Sequence, residues 1–157
     1  MQAINIHFEP HGLGRVEFDA EVSTGDKKSL HKIAFKLDSG SDFTTLSCDD
    51  LKKLGYTEEY LQNRPTHVNK ASGATEEITL RFIEGVSIKF GERELQGCKV
   101  FFALGTELRS LFGSDILKYF NWEVDNDEGE LRLTQRETLP ELSEGEVPIQ
   151  IYAVAKV

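Results

Sequence analysis

Apolar residues recur at every second position in stretch after stretch of this 157-residue chain, and that period constrains the fold more than any other feature. "AINIHFE" sets Ile4, Ile6 and Phe8 on one face, and "KIAFKL" does the same with Ile33, Phe35 and Leu37. "RVEFDAEV" sets Val16, Phe18, Ala20 and Val22 against Arg15, Glu17, Asp19 and Glu21. Further on come Ile78, Leu80 and Phe82, then Val86, Ile88 and Phe90, then the run from Val100 to Leu104. Successive side chains of a strand point to opposite sides, so this alternation describes strands with one face on a core and one in water. "GLG", "STGDKK" and "FGERE" separate them as turns. The chain is therefore mainly β, and its length suits a single domain over residues 1–157 with one well-filled core.

Two short helices interrupt the strands. "SCDDLKKLG" has Ser47 as N-cap, acids in its first turn, lysines later and Gly55 as its stop. "TEEYLQNRP" repeats the grammar with Thr57 as cap and Pro65 as boundary. "SDILKYFNW" predicts a third, beginning at Ser114 or Asp115, and "NWEVDNDEGELRLT" predicts a hairpin with "DNDEG" as its loop. The tail "VPIQIYAVAKV" alternates again, so the extension over 135–157 is expected to contain a strand, with Pro148 suiting an edge.

Charge narrows the function. Eighteen basic and 27 acidic residues leave a net charge of -9, which argues against nucleic acid and against an anionic membrane as partners. "MQAINIHFEP" has no apolar leader segment, and "VFFAL" is too short to span a bilayer. The two cysteines, Cys48 and Cys98, read as reduced thiols, so the expected location is cytoplasmic.

The candidate chemistry lies in "IAFKLDSGSDFTTLS". A strand carries its last apolar residue at Leu37 and runs straight into Asp38-Ser39-Gly40. Those three are common turn residues, and in isolation they describe a turn. The tripeptide "GSD" appears at 40–42 and again at 113–115, each time after an apolar strand, which hints at internal two-fold symmetry.

"LDSGSDFTTLS" resembles the Asp-Ser/Thr-Gly signature of aspartic proteases, and the chain length resembles their retropepsin-like, single-lobe branch. "SLFGSDILKYFNWEVDNDEGELRL" is similar to that family's second motif, two apolar residues and a glycine, here Leu111, Phe112 and Gly113, followed by a helix and a final hairpin. Between them, "HVNKASGATEEITLRF" sits where the family keeps its flap, with Ser72, Gly73 and Ala74 at the tip. The resemblance spans about residues 4 to 134. It implies a closed-barrel acid protease fold, a polypeptide substrate, a homodimer, no cofactor and no metal. Ser41 stands where the family usually has Ala, and Ser114 where retroviral members carry a dimer-tying Arg.

Hydrolysis of a peptide bond by carboxylates needs one group to take a proton from water and another to supply one to the substrate carbonyl. Two carboxylates about 3 Å apart share a proton and so provide both. This chain has one signature aspartate, so the resemblance implies that a second copy supplies the other across a two-fold axis. Asp38 is then the catalytic residue and Gly40 allows close backbone approach, while by resemblance Ser39 bonds the partner's loop.

Other constellations lead nowhere. His7, His11, His31 and His67 lack metal-ligand spacing, and Asp42, Asp49 and Asp50 read as surface or capping acids. Asp115 reads as a helix-start or buried hydrogen-bonding residue. "DNDEG" fails the calcium-loop pattern, because Glu130 and Arg136 occupy the sixth and twelfth positions counted from Asp125. "HGLGRVE" lacks the third glycine of a nucleotide-binding turn, and no G-x-S-x-G is present. The expected function is an aspartic endopeptidase. The alternatives are a non-catalytic peptide-binding or dimerisation module of the same fold, and a protease domain inactive until assembled.

Overall fold

The computed structural model describes residues 3–10, 12, 14–24, 27–70, 77–105 and 108–153. Among them ten strands and three short helices run in the order β1 (Ala3–His7), β2 (Glu17–Thr24), β3 (Lys27–Leu37), α1 (Cys48–Lys53), α2 (Glu58–Gln62), β4 (Thr66–Lys70), β5 (Glu77–Phe90), β6 (Arg93–Phe102), β7 (Leu111–Phe112), α3 (Ser114–Leu117), β8 (Phe120–Asp125), β9 (Glu130–Gln135) and β10 (Gln150–Ala153). They form two sheets. The larger has the order β10-β6-β5-β2-β3-β7, with β4 added to β5, and curls into a half-barrel. The smaller has the order β1-β9-β8. This is the mainly-β, retropepsin-like architecture expected from the alternation and the motifs.

The alternation places the core. Phe18 pairs with Phe35 and Ala20 with Ile33 across β2 and β3, and all four are buried. Phe112, fully buried, is their hub: its ring meets those of Phe18, Phe35 and Phe90 edge-on at 5.4, 6.0 and 5.8 Å between centroids. Each such contact adds about 0.5–1.5 kcal/mol to the area term. Ile4, Ile6, Leu131 and Leu133 bring the smaller sheet onto the same core.

β5 is one 14-residue strand where the sequence suggested two. Its pairing with β6 shifts register between Ile83 and Val86, around Gly85 at φ 71. A bulge exchanges the two faces of a strand. Leu80 and Phe82 consequently join a small second cluster with Phe101 and Ala103, whereas Val86, Ile88 and Phe90 join the main core.

Both early helices form as their caps direct, with the Ser47 hydroxyl accepting from Asp50 N and the Thr57 hydroxyl from Tyr60 N. The third stops at Leu117, much shorter than "SDILKYFNW" suggested, and β8 begins at Phe120. Arg136 N–H donates to the Tyr119 carbonyl just ahead of the aromatic-rich segment that enters β8, and aromatics favour strand over helix. The tail strand β10 pairs with β6, placing Ile151 opposite Leu95. It thus joins the larger sheet's edge and takes no part in the β1-β9-β8 sheet. Lys118 and Glu146 bridge at 2.6 Å, and the Ile149 amide donates to the Tyr119 hydroxyl, strapping the preceding segment over the end of α3. Among the described residues no helix is long and apolar enough to cross a membrane.

Candidate active site

Asp38 follows the last residue of β3, and its position is set by β7. These two strands run parallel, with Lys36 opposite Leu111 and Leu37 opposite Phe112. The ladder continues through the aspartate, whose amide donates to the Phe112 carbonyl at 3.0 Å. Leu111 and Phe112 of the second motif therefore align the strand end that carries Asp38. The chain then turns sharply, the Ser41 amide donating to the Asp38 carbonyl at 3.1 Å. The Asp38 Oδ1 accepts from the Gly40 amide at 3.1 Å. A side chain at residue 40 would start 3.4 Å from that oxygen, about van der Waals contact, so the turn itself does not demand glycine there. The turn reading of Asp-Ser-Gly is correct as local geometry, and it leaves the Asp38 side chain half-buried with Ser39 and Gly40 exposed.

Beyond the turn, residues 44–46 lie between β6 and β7. Phe101 N donates to Thr44 O and Leu46 N to Phe101 O, while Thr45 and Leu111 exchange both backbone hydrogen bonds. The two GSD tripeptides meet here, since the Ser114 amide donates to the Ser41 carbonyl at 2.8 Å. Their contact explains Gly113, where a Cβ would lie 2.5 Å from the Phe43 carbonyl oxygen.

Behind this crossing is a buried polar knot that the sequence reading missed in part. The Thr44 hydroxyl donates to Asp115 Oδ1 at 2.6 Å and accepts from the Gly113 amide at 3.1 Å. The Thr44 amide donates to Asp115 Oδ2 at 3.0 Å, and Ile116 N to Oδ1. Burial pushes the Asp115 carboxyl above the ordinary aspartate value, the Thr44 hydrogen bonds opposing the shift and the Glu146 charge adding to it. Asp115 is thus the hydrogen-bonding helix-start residue expected, partly rather than fully buried. Thr44 carried no signal beyond its place six residues after Asp38.

The arms of the expected flap are β4 and β5, which pair from Thr66↔Arg81 to Lys70↔Glu77. Ser72, Gly73 and Ala74 lie outside the described residues. Among those described, no group of three or more His, Cys, Asp or Glu could hold a metal ion.

Residues 20–116 match the family described as aspartyl protease. The chain is 30% identical over 118 residues to the UBA domain-containing protein Mud1 of Schizosaccharomyces pombe, an overlap of 75% of this chain and 34% of that protein. It spans about a third of that relative's length. Its fold is similar to that of a retropepsin-like aspartic protease from Rickettsia conorii, with a TM-score of 0.61, 24% identity, and 84% of this chain and 89% of the other covered.

Proposed function

Because the chain belongs to the aspartyl protease family, we propose that it is an aspartic endopeptidase acting as a homodimer, in which the Asp38 side chains of two copies hold one water between them. The observation that carries this reading is the seating of Asp38. Its backbone is tied to Phe112, its turn closes at Ser41, and its half-buried side chain sits at the end of a strand paired on both sides. A carboxylate so placed needs only a second one facing it. The pair then shares a proton, the charged member taking a proton from water as it attacks the peptide carbon while the neutral member protonates the carbonyl oxygen. Ser39, exposed beside it, is suited to bonding the partner's loop, and Ser72, Gly73 and Ala74 to closing over the substrate.

The smaller sheet supports the dimer. β8 is its edge and pairs only with β9 among the described residues. Trp122 lies opposite the fully buried Leu133 yet remains 40% exposed. An open edge carrying a half-covered tryptophan is suited to pairing with a second copy of itself. Both cysteines are free thiols, which suits the reducing cytoplasm.

Incubation of the wild type and Asp38→Asn with a diverse peptide mixture between about pH 4 and 7, read by mass spectrometry, tests the assignment. Cleavage by the wild type alone, with a bell-shaped pH profile, is expected. Equal cleavage by the variant overturns it, and binding without cleavage by a confirmed dimer favours a non-catalytic peptide-binding module.

A further inference from the structure

The second cluster is set apart from the main core and borders the Asp38 loop. Leu80, Phe101 and Ala103 form its buried floor, with Phe43, Phe82 and Leu108 partly exposed around them. Phe43 belongs to the loop that begins at Asp38, and its ring lies 4.3 Å from that of Phe101. His67, exposed on the flap arm β4, stands edge-on to Phe43 at 5.3 Å and to Phe101 at 5.7 Å. The Asp38 loop, a flap arm and the sheet thus contribute rings to one surface.

One exposed cation flanks it. The Lys99 ammonium lies 3.9 Å from the Phe82 ring centroid and 5.7 Å from that of Phe101. No ion pair joins it to a carboxylate of the described residues. In a chain of net charge -9, an exposed cation held over an aromatic wall and spared an acidic partner is available to an acidic ligand. Lys99 and Phe101 are two residues apart on β6, so their side chains leave the same face about 7 Å apart.

We infer that this surface selects the substrate, taking from an extended peptide a large apolar side chain on the partly exposed ring of Phe43, which packs against the buried Phe101, and an acidic side chain two positions away on Lys99. A bound strand repeats the same period of two, so the two recognised residues fall on one side of it. The inference rests on the endopeptidase reading for its location beside the scissile bond, but the recognition itself needs only a bound peptide. Phe43 and Lys99 are specificity-determining residues in this scheme and Asp38 remains the reacting group.

Two peptide series decide it, identical except for Phe-Ala-Asp or Phe-Ala-Lys at each register. Wild type and Lys99→Glu are assayed for cleavage, and Asp38→Asn with and without Lys99→Glu for binding by calorimetry. The expected result is that the wild type prefers the aspartate series about fivefold, as an exposed ion pair allows, and that Lys99→Glu reverses the preference. Phe43→Ala should weaken both series alike. Cleavage with no preference, or with a preference indifferent to Lys99→Glu, overturns the inference and leaves the protease intact. Binding that depends on Lys99 without any cleavage upholds the inference and overturns the protease. Neither cleavage nor Lys99-dependent binding overturns both.

Discussion

Thr44 is fully buried, and its hydroxyl gives its proton to Asp115 while receiving that of the Gly113 amide. Thr44→Ala would leave a partly buried carboxyl and a buried amide each short of a partner, at a cost of about 1–3 kcal/mol, whereas Thr44→Ser keeps both hydrogen bonds and loses only a methyl group. Urea unfolding of the two variants checks the difference, and equal losses would contradict the account. Asp115 gives a pH-dependent companion. Burial holds its carboxyl above the ordinary value of 3.8, so the folded state binds the proton more tightly than the unfolded state. That contribution is complete below the ordinary value and is lost as pH climbs through the raised one. Stability of the wild type relative to Asp115→Asn should therefore fall as pH rises above about 4, and a relative stability that climbs would reverse the sign. The turn at Asp38-Ser39-Gly40 was legible in the sequence because turn residues at a strand end form a local pattern, and Gly113 was legible through its likeness to the family's second motif. Thr44 was not, because its role depends on a partner 71 residues away.

At the scale of elements, period-two alternation exposed β1, β2 and β3, the polar DNDEG loop exposed the β8–β9 hairpin, and capping residues exposed α1 and α2. Less visible was any feature set by register. Leu80 and Val86 have the same parity in the sequence but serve different clusters, because the bulge at Gly85 lies between them. The length of α3 was hidden for a related reason: Phe120 suits a helix face as well as a strand, and its pairing with Gln135 decides. The tail's destination on β6 likewise depends on contacts that alternation does not specify. The β8 edge yields a prediction at this scale. If it joins two copies, Trp122→Glu sets like charges against each other at the seam and removes an aromatic anchor, which should weaken association by about thirtyfold (roughly 2 kcal/mol) without unfolding the chain. Sedimentation across a dilution series measures this, and unchanged association would move the seam elsewhere.

For the whole molecule, the proposed mechanism would make activity a property of two chains, each contributing one carboxylate to a site that neither completes alone. The rate should therefore rise faster than linearly with protein concentration near the dissociation constant and linearly above it. The most direct test mixes the wild type with an equal amount of Asp38→Asn, allows the copies to exchange, and measures cleavage at fixed wild-type concentration. Mixed dimers with one aspartate should be inactive, so cleavage should fall to about half, while the variant alone shows none. Cleavage that stays at the full wild-type rate in a fully exchanged mixture would mean that one Asp38 suffices, contradicting the shared site.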